Sequence, residues 1–239
     1  MVRISGITLL FFLLATSAFV TTAYSYHHSF TYYDSVLSLL QSSRYKVFTV
    51  EGYLKDGPDP NKVNIILRHD VDFSVKSAEE FAKLEEARGI RSTYYIRVRG
   101  PYNASTLKDW LSSLNKEGFE IGLHYEDPYV DNWSWTLAVR DFGKDLALLR
   151  TMTPVKTVCA HGNSEHQKYN NDALFNFTTL QTWNLQGEAA LSFQGKGYQY
   201  FSDSNNAWVE WYSIIQNAQV GTTLYLLIHP DWWHGVFFN

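Results

Sequence analysis

The order of its segments is the feature that most constrains this chain, because short apolar runs alternate with amphipathic helical patterns along most of its length. Residues 63–67 form a β-rich apolar run, and residues 74–88 follow with apolar positions at helical spacing. Further strands are predicted at residues 91–96, 119–123, 155–160 and 223–228. Alternating strands and helices imply an α/β fold with parallel strands and helical crossovers. Its two main solutions are an open doubly wound sheet and a closed barrel.

The composition is that of a globular protein and excludes several function classes. Of the 239 residues, 45% are hydrophobic and 18% are charged, with a formal net charge of −4. These values exclude a disordered polymer, a collagen and a basic nucleic-acid binder. No Gly-x-Gly-x-x-Gly segment follows the first strand, so a nucleotide-binding doubly wound sheet has no motif to support it. One α/β barrel could use residues 26–239 as a single domain.

The first 25 residues are predicted to be a secretory signal peptide. Arg3 provides a positive start, residues 7–20 are mostly apolar, and small residues near Ala23 suit signal-peptidase cleavage. The apolar run has 14 residues, which is short for a typical membrane span. An uncleaved anchor is the alternative. We expect a secreted, extracellular protein whose mature chain has no membrane span.

Polar side chains that can take part in catalysis or metal binding follow four of the predicted strands. Each of these strands ends in His or Asp immediately after its apolar run. In a parallel barrel, all carboxyl ends of the strands lie on one face, where active sites form. A solitary histidine is usually structural, but four strands that end alike favour one common site. The residues concerned are Asp70, Asp72, His124, His161 and His229.

The spacing of the two aspartates points to a cation. Asp70 and Asp72 are two residues apart on an extended chain, so their side chains point to the same side. Two carboxylates that lie this close need a cation or a shared proton at neutral pH. With His124 and His161 as imidazole donors, the set suits a divalent metal, with Zn²⁺ favoured, and a spare carboxylate can accept a proton from water. The alternative is that Asp72 caps the helix that starts near Ser74.

At these residues the sequence resembles the polysaccharide deacetylase family, the NodB-homology carbohydrate esterases. The resemblance covers roughly residues 63–234 and is strongest to a divergent branch with an Arg-His-Asp-Val-Asp segment and a terminal His-Pro motif. It implies a distorted (β/α) barrel of the NodB-homology type. It also implies a metal-dependent hydrolase that acts on C–N (amide) bonds and removes acetyl groups from N-acetylated sugars or polysaccharides.

The family's motifs imply a role for each matching residue. The resemblance makes Asp70 the general base and Asp72 a metal ligand. His229, in the segment Leu-Ile-His, matches the general acid of the last motif. Asp203 resembles the aspartate that orients this histidine.

The second motif of the family is altered in this chain. It normally reads His-x-x-x-His and supplies two metal ligands. His124 matches its first position, but the second position is Pro128, which cannot bind a metal. His161 is the preferred replacement as third ligand, and Glu126 is the rival.

The substrate implied by the resemblance is a carbohydrate. Tyr125, Glu126 and Trp232 lie next to the predicted site residues in the sequence and are predicted to contact it. Aromatic rings near the strand ends could stack on sugars, although loop anchoring is the alternative. The net charge gives no reason to expect nucleic acid.

Two other functions fit the same residues. The altered second motif favours a secreted glycan-binding protein that has lost catalysis. So does the third motif, in which the family usually carries an Arg and an aromatic residue and this chain has Ala160-His161-Gly162-Asn163. The retained aspartates and histidines favour an enzyme. A metal-dependent hydrolase of another amide or ester would use the same site chemistry with a different substrate groove.

Overall fold

Eight strands alternate with seven α-helices in the computed structural model, which describes residues 28–162 and 170–234. The strands are β1 (Tyr45–Phe48), β2 (Val63–Val71), β3 (Thr93–Ile96), β4 (Glu120–Tyr125), β5 (Thr157–Ala160), β6 (Gly187–Glu188), β7 (Gln199–Ser202) and β8 (Thr223–Ile228). The helices are α1 (Phe30–Leu40), α2 (Val50–Asp56), α3 (Val75–Ala87), α4 (Lys108–Lys116), α5 (Asp127–Val130), α6 (Trp135–Arg150) and α7 (Trp211–Asn217). The predicted signal peptide lies outside the described residues.

All the strand pairs of the sheet are parallel. The order is β6-β5-β4-β3-β2-β8-β7, and β1 pairs with the first half of β2 on the same side as β3. Within the described ranges, β6 and β7 do not pair, so the ring of strands stays open between them. This architecture confirms the prediction of a distorted (β/α) barrel. None of the described helices is both long and apolar enough to span a lipid bilayer.

The two faces of the sheet are covered by different apolar clusters. On β2, Ile65 and Leu67 belong to the large cluster that the helices cover, whereas Ile66 belongs to a smaller cluster on the inner face. All nine residues of β2 are buried, as expected for a parallel strand that is covered on both sides. Because side chains alternate along a strand, Asp70 shares the inner face with Ile66 and His69 faces the helices.

The helix after β2 does not use Asp72 as its cap. The side chain of Ser74 occupies the N-cap position of α3 and accepts a hydrogen bond from the backbone N–H of Ser77. The capping alternative for Asp72 is therefore wrong, and its carboxylate is left for other contacts.

Several elements carried no clear sequence signal. The strands β1, β6 and β7 have two to four residues each, too few for a visible period. Helix α1 is also absent from the prediction, although it buries six of its side chains. β7 matters for the site, because Asp203 follows it directly.

Candidate active site

One pocket at the carboxyl ends of the strands collects all five of the residues singled out at strand ends. Its volume is about 590 Å³. Its lining includes Arg68, Asp70, Asp72, Phe73, His124, His161, Tyr200, His229 and Trp232. Distant parts of the chain thus meet at the face of the barrel where catalytic residues are usual.

The turn that carries Asp72 is tied to the segment after β8. The backbone N–H groups of Asp72 and Phe73 donate to the Asp231 carboxylate at 3.0 and 3.1 Å, and the N–H of Ser74 donates to it as well. His229 precedes Asp231 by two residues, so these hydrogen bonds fix the position of Asp72 relative to His229. Sequence reasoning missed this role, although an acidic residue two positions after a predicted site histidine was a usable signal.

Three side chains converge with the geometry of a metal-ligand set. Oδ1 of Asp72 lies 3.3 Å from Nε2 of His124 and 3.5 Å from Nε2 of His161. One ligand atom of each residue lies within 4.8 Å of the others. Among the described residues, the buried Oδ1 of Asp72 has no hydrogen-bond partner. A buried carboxylate oxygen without a donor is costly, and a cation beside it would remove that cost.

Contacts behind the histidines orient them. Nδ1 of His124 lies 3.0 Å from the carbonyl oxygen of Cys159, which can only accept, so a hydrogen on Nδ1 leaves Nε2 as the ligand atom. The backbone N–H of His161 donates to the carbonyl of Tyr125 at 2.8 Å. Parallel pairing of β4 with β5 therefore sets both histidines at neighbouring strand ends.

The pKa values in this cluster favour a positive charge between the carboxylates. Burial raises the pKa of Asp72, but the adjacent imidazoles, that of His124 above all, outweigh it and lower the pKa to about 2. Burial lowers the pKa of His124, but Asp70 and Asp72 outweigh it and raise that pKa. Burial and the charge of His124 lower the pKa of His161 to about 4. At neutral pH, Asp72 is therefore an anion and His161 a neutral imidazole, which are the forms that bind metal.

A second donor group shares His124 but suits a metal less well. Ligand atoms of Asp70, His124 and Cys159 also lie within 4.8 Å of one another. Burial raises the pKa of the Cys159 thiol, so the sulfur keeps its proton. A thiol must lose its proton to bind a metal, so the set with Asp72 and His161 is the better one.

Glu126 is engaged by an arginine. Its carboxylate accepts two hydrogen bonds from Arg97, at 3.2 and 2.6 Å, and Arg97 also donates to the backbone oxygen of Asp72 at 3.1 Å. Glu126 does not line the pocket, and its Oε2 lies 3.9 Å from Nδ1 of His161. Glu126 therefore lies behind His161 rather than beside Asp72. Sequence reasoning missed Arg97 because nothing local marks a pair that joins two strand ends.

Asp70 has one oxygen that is held and one that is free. Its Oδ2 lies 3.5 Å from Nη2 of Arg68 and 3.6 Å from Nε2 of His124, and the thiol of Cys159 donates to it at 3.7 Å. Its buried Oδ1 has no hydrogen-bond partner in the described part of the chain. Arg68 is itself buried and donates to the hydroxyl of Tyr225 at 3.1 Å. Asp70 can thus accept a proton at Oδ1.

His229 rests on a buried aspartate. Its Nδ1 lies 2.7 Å from Oδ1 of Asp203, and Asp203 also accepts from the backbone N–H of His229 and from the indole of Trp233. Nε2 of His229 lies 4.0 Å from Oδ2 of Asp72, on the pocket side. Burial lowers the pKa of His229, but the hydrogen bond to Asp203 and nearby carboxylates outweigh it and raise that pKa. The raised pKa favours the protonated ring, whose Nε2 faces the pocket.

Of the three residues predicted to contact the substrate, one lines the pocket and two lie outside its lining. Trp232 lines the pocket, with its ring centre 6.5 Å from that of His229. Tyr125 is buried outside the pocket, with its ring 5.4 Å from that of Phe142. A substrate contact for Tyr125 does not fit this position, because side chains alternate along β4 and His124 takes the inner face. Glu126 likewise lies outside the lining, paired with an arginine.

The comparisons with known proteins concern structure. No family model and no curated protein matches this sequence. One similar solved structure is a mutant of BA3943, described as a CE4 family pseudoenzyme with restored enzymatic activity. It has a TM-score of 0.50 and 12% sequence identity, and the match covers 72% of this chain and 58% of that chain.

Another similar structure is the catalytic domain of the peptidoglycan N-acetylglucosamine deacetylase from Eubacterium rectale. Its TM-score is 0.49, with 12% identity, over 70% of this chain and 76% of that chain. At such identity the likeness concerns the fold, and the chain spans 58% of the first of these relatives. This protein therefore has the fold of the CE4 polysaccharide deacetylases, the family that its motifs resemble.

Proposed function

We propose that this protein is a metal-dependent hydrolase that removes acetyl groups from N-acetylated sugars. The observation that carries the proposal is the pocket in which Asp72, His124 and His161 converge beside the free oxygen of Asp70 and the ring of His229. The fold alone does not determine function, so the proposal rests on this side-chain set.

Asp72, His124 and His161 would hold the metal. One carboxylate oxygen and two imidazole nitrogens are a common catalytic ligand set for Zn²⁺, the ion we propose. When bound, such an ion acts as a Lewis acid toward an amide carbonyl and makes water more acidic. Arg97 takes up both oxygens of Glu126, which supports His161 as the third ligand.

Asp70 would act as the general base. Arg68 and the thiol of Cys159 contact its Oδ2, so Oδ1 is the oxygen left to accept a proton from the attacking water. A general base needs to lie within hydrogen-bond reach of that water, and Asp70 borders the same pocket as the ligand set. The attacked atom would be the carbonyl carbon of the acetamide group.

His229 would act as the general acid. Asp203 accepts the hydrogen of Nδ1, which leaves Nε2 with a proton toward the pocket. Its raised pKa supports retention of this proton near neutral pH. As the C–N bond breaks, Nε2 would transfer its proton to the amine that leaves.

The reaction can be tested with metal stoichiometry and acetate release. Purified protein, incubated with zinc and desalted, should hold about one zinc per chain, and His124→Ala should hold none. The zinc-loaded protein should release acetate from oligomers of N-acetylglucosamine. Asp70→Asn and His229→Ala should bind zinc and release little acetate. Wild-type protein that binds no zinc, or binds zinc and releases no acetate from N-acetylated glycans, would contradict the proposal.

A secreted glycan-binding protein without catalysis is the second candidate. It is favoured by Pro128, which stands buried in α5 at the position of the family's second histidine. The BA3943 protein, described as a pseudoenzyme, is a precedent for such a loss on this fold. Glycan binding without acetate release would support this candidate. Release of a different acid would instead support a hydrolase of another amide or ester.

We also propose that the protein works outside the cell. The support is the signal-peptide pattern of residues 1–25. Secreted protein should begin near residue 26 by N-terminal sequencing. A product that starts at Met1 and stays with the membrane fraction would favour the uncleaved anchor.

A further inference from the structure

Three aromatic rings from separate segments border the candidate active site. Phe73 directly follows Asp72, Tyr200 lies on β7, and Trp232 follows His229 by three residues. Phe73 is 59% exposed and Tyr200 is 49% exposed, so both rings offer an uncovered surface at the pocket. Single exposed apolar residues are ordinary on a protein surface, but several that border one polar pocket indicate a binding role.

The exposed rings are held by their neighbours. The backbone N–H of Phe73 donates to Asp231, and its ring lies 5.7 Å from the guanidinium carbon of Arg97. The ring of Tyr200 packs at right angles to that of Tyr225, with 5.7 Å between their centres. Because these positions are set in advance, binding to the rings would cost little additional order.

Neutral polar groups lie beside the rings. Asn170, Ser204 and Asn205 line the same pocket. Flat apolar surfaces next to amide and hydroxyl groups complement a molecule with an apolar face and a hydroxyl edge. A pyranose ring has this form, with C–H groups on its faces and hydroxyls around its rim.

We propose that Phe73, Tyr200 and Trp232 form a sugar subsite that binds pyranose rings of a glycan chain at the mouth of the pocket. The assignment of the occupant as an N-acetylated glycan rests on the proposed function. The subsite explains why Phe73 is exposed next to a predicted metal ligand, where a buried or polar residue would otherwise be expected. It also gives Tyr200 a role that no motif indicated.

Binding can be measured separately from catalysis. The tetramer of β-1,4-linked N-acetylglucosamine is titrated by calorimetry into the zinc-loaded full chain in an Asp70→Asn background, which slows turnover. Phe73→Ala and Tyr200→Ala should each weaken binding roughly threefold to tenfold, the size expected for loss of one aromatic contact. The matched control is Phe177→Ala, because Phe177 is 53% exposed, stacks on Trp135 and lies outside the pocket lining. That control should bind like the parent.

Each outcome decides one of the two proposals. Tetramer binding that weakens in the two variants supports the subsite, even if the zinc-loaded wild type releases no acetate and the catalytic proposal fails. Acetate release with equal tetramer affinity in parent, Phe73→Ala and Tyr200→Ala overturns the subsite and leaves the catalytic proposal intact. A parent protein that binds no tetramer also overturns the subsite. Circular dichroism and thermal unfolding check that the variants, which change exposed rings, remain folded.

Discussion

Two buried polar clusters start at the adjacent residues His69 and Asp70 of β2. The outer cluster contains His69 and Glu85, and the inner cluster contains Asp70 and Asp72. They differ in how many of their polar atoms have a hydrogen-bond partner. On the helix-covered face, Nε2 of His69 lies 2.7 Å from Oε1 of Glu85, and Nδ1 lies 3.1 Å from the carbonyl oxygen of Ile228. The other oxygen of Glu85 accepts from Ser92 and Tyr94, both at 2.7 Å. Every polar atom of the His69 and Glu85 side chains therefore has a partner.

The inner cluster is buried to a comparable degree, but not all of its polar atoms have a hydrogen-bond partner. Asp70 is 3% exposed and Asp72 is 9% exposed, yet one carboxylate oxygen of each has no hydrogen-bond partner within the described residues. Buried polar groups are normally paired, so an unpaired one calls for an explanation. Burial and charge are common to both clusters, so they do not identify a functional site. The feature that distinguishes the inner cluster is a set of buried carboxylate oxygens that lack a hydrogen-bond donor and lie beside an open pocket.

The largest expected effect tests the inner cluster. Asp70→Asn removes the proposed general base, so acetate release should fall roughly 10²- to 10⁴-fold. The fold and zinc stoichiometry should be retained, because Asp70 lies outside the proposed ligand set. Initial rates of acetate release with matched zinc content measure the effect. Wild-type rates of acetate release in the Asp70→Asn protein would contradict the role of Asp70 as general base.

The next largest effect tests the outer cluster. Glu85→Ala leaves His69 and the hydroxyl donors of Tyr33, Ser92 and Tyr94 without their acceptor. The free energy of unfolding should therefore fall by about 3–5 kcal/mol. Urea unfolding measures it. The matched control is Glu86→Ala, an exposed residue of the same helix, which should change stability by less than about 0.5 kcal/mol. Equal stability losses in the two variants would mean that the outer cluster is not a structural network.

A third prediction uses metal binding to separate the ligand candidates. Zinc at a free concentration of 100 times its Kd should stabilise the folded state by about 2.7 kcal/mol. The stabilisation should vanish in His161→Ala, because a ligand is lost. It should persist in Glu126→Gln, because Arg97 holds that side chain. Thermal unfolding with and without zinc measures both, and the reverse pattern would make Glu126 the third ligand.

The smallest expected effect is an acid dependence of the outer cluster. Burial raises the pKa of Glu85, but the charge and hydrogen bond of His69 and the hydroxyl donors outweigh it and lower the pKa below its usual value. A carboxylate with a depressed folded-state pKa stabilises the protein above its unfolded pKa of about 4.3, and this contribution is lost as pH falls through the folded value. The stability gap between wild type and Glu85→Gln should therefore narrow from about pH 7 to about pH 3. Urea unfolding at each pH measures the gap, and a constant gap would contradict the assignment of an ionised Glu85.

Local pattern was enough to predict the barrel strands that carry the site. β2, β4 and β8 are strands of six to nine residues whose apolar positions stand out, and His or Asp lies near the end of each or directly follows it. Parallel order then implied that these ends meet. The short strands β6 and β7 and the helix α1 escaped prediction because tertiary packing, rather than a sequence period, stabilises them.

Side-chain orientation beyond the strand ends was harder to predict. Tyr125 follows His124 directly, yet one side chain faces the helices and the other faces the pocket. The sequence left Glu126 open as an alternative metal ligand. In the structure, Arg97, 29 residues away in the chain, donates hydrogen bonds to both of its carboxylate oxygens. Arg68 and Asp231 were visible within the motifs, but their contacts depend on neighbouring strands.

By itself, the sequence determined the class of fold and the residues at the strand ends, because apolar periodicity and the polar residues that interrupt it are local properties of the chain. Only the tertiary structure decided which of these residues meet. The convergence of Asp72, His124 and His161, the support of His229 by Asp203, and the exposure of Phe73 at the pocket all depend on strand register across the barrel. Register is set by packing between segments far apart in the chain, which no local pattern encodes.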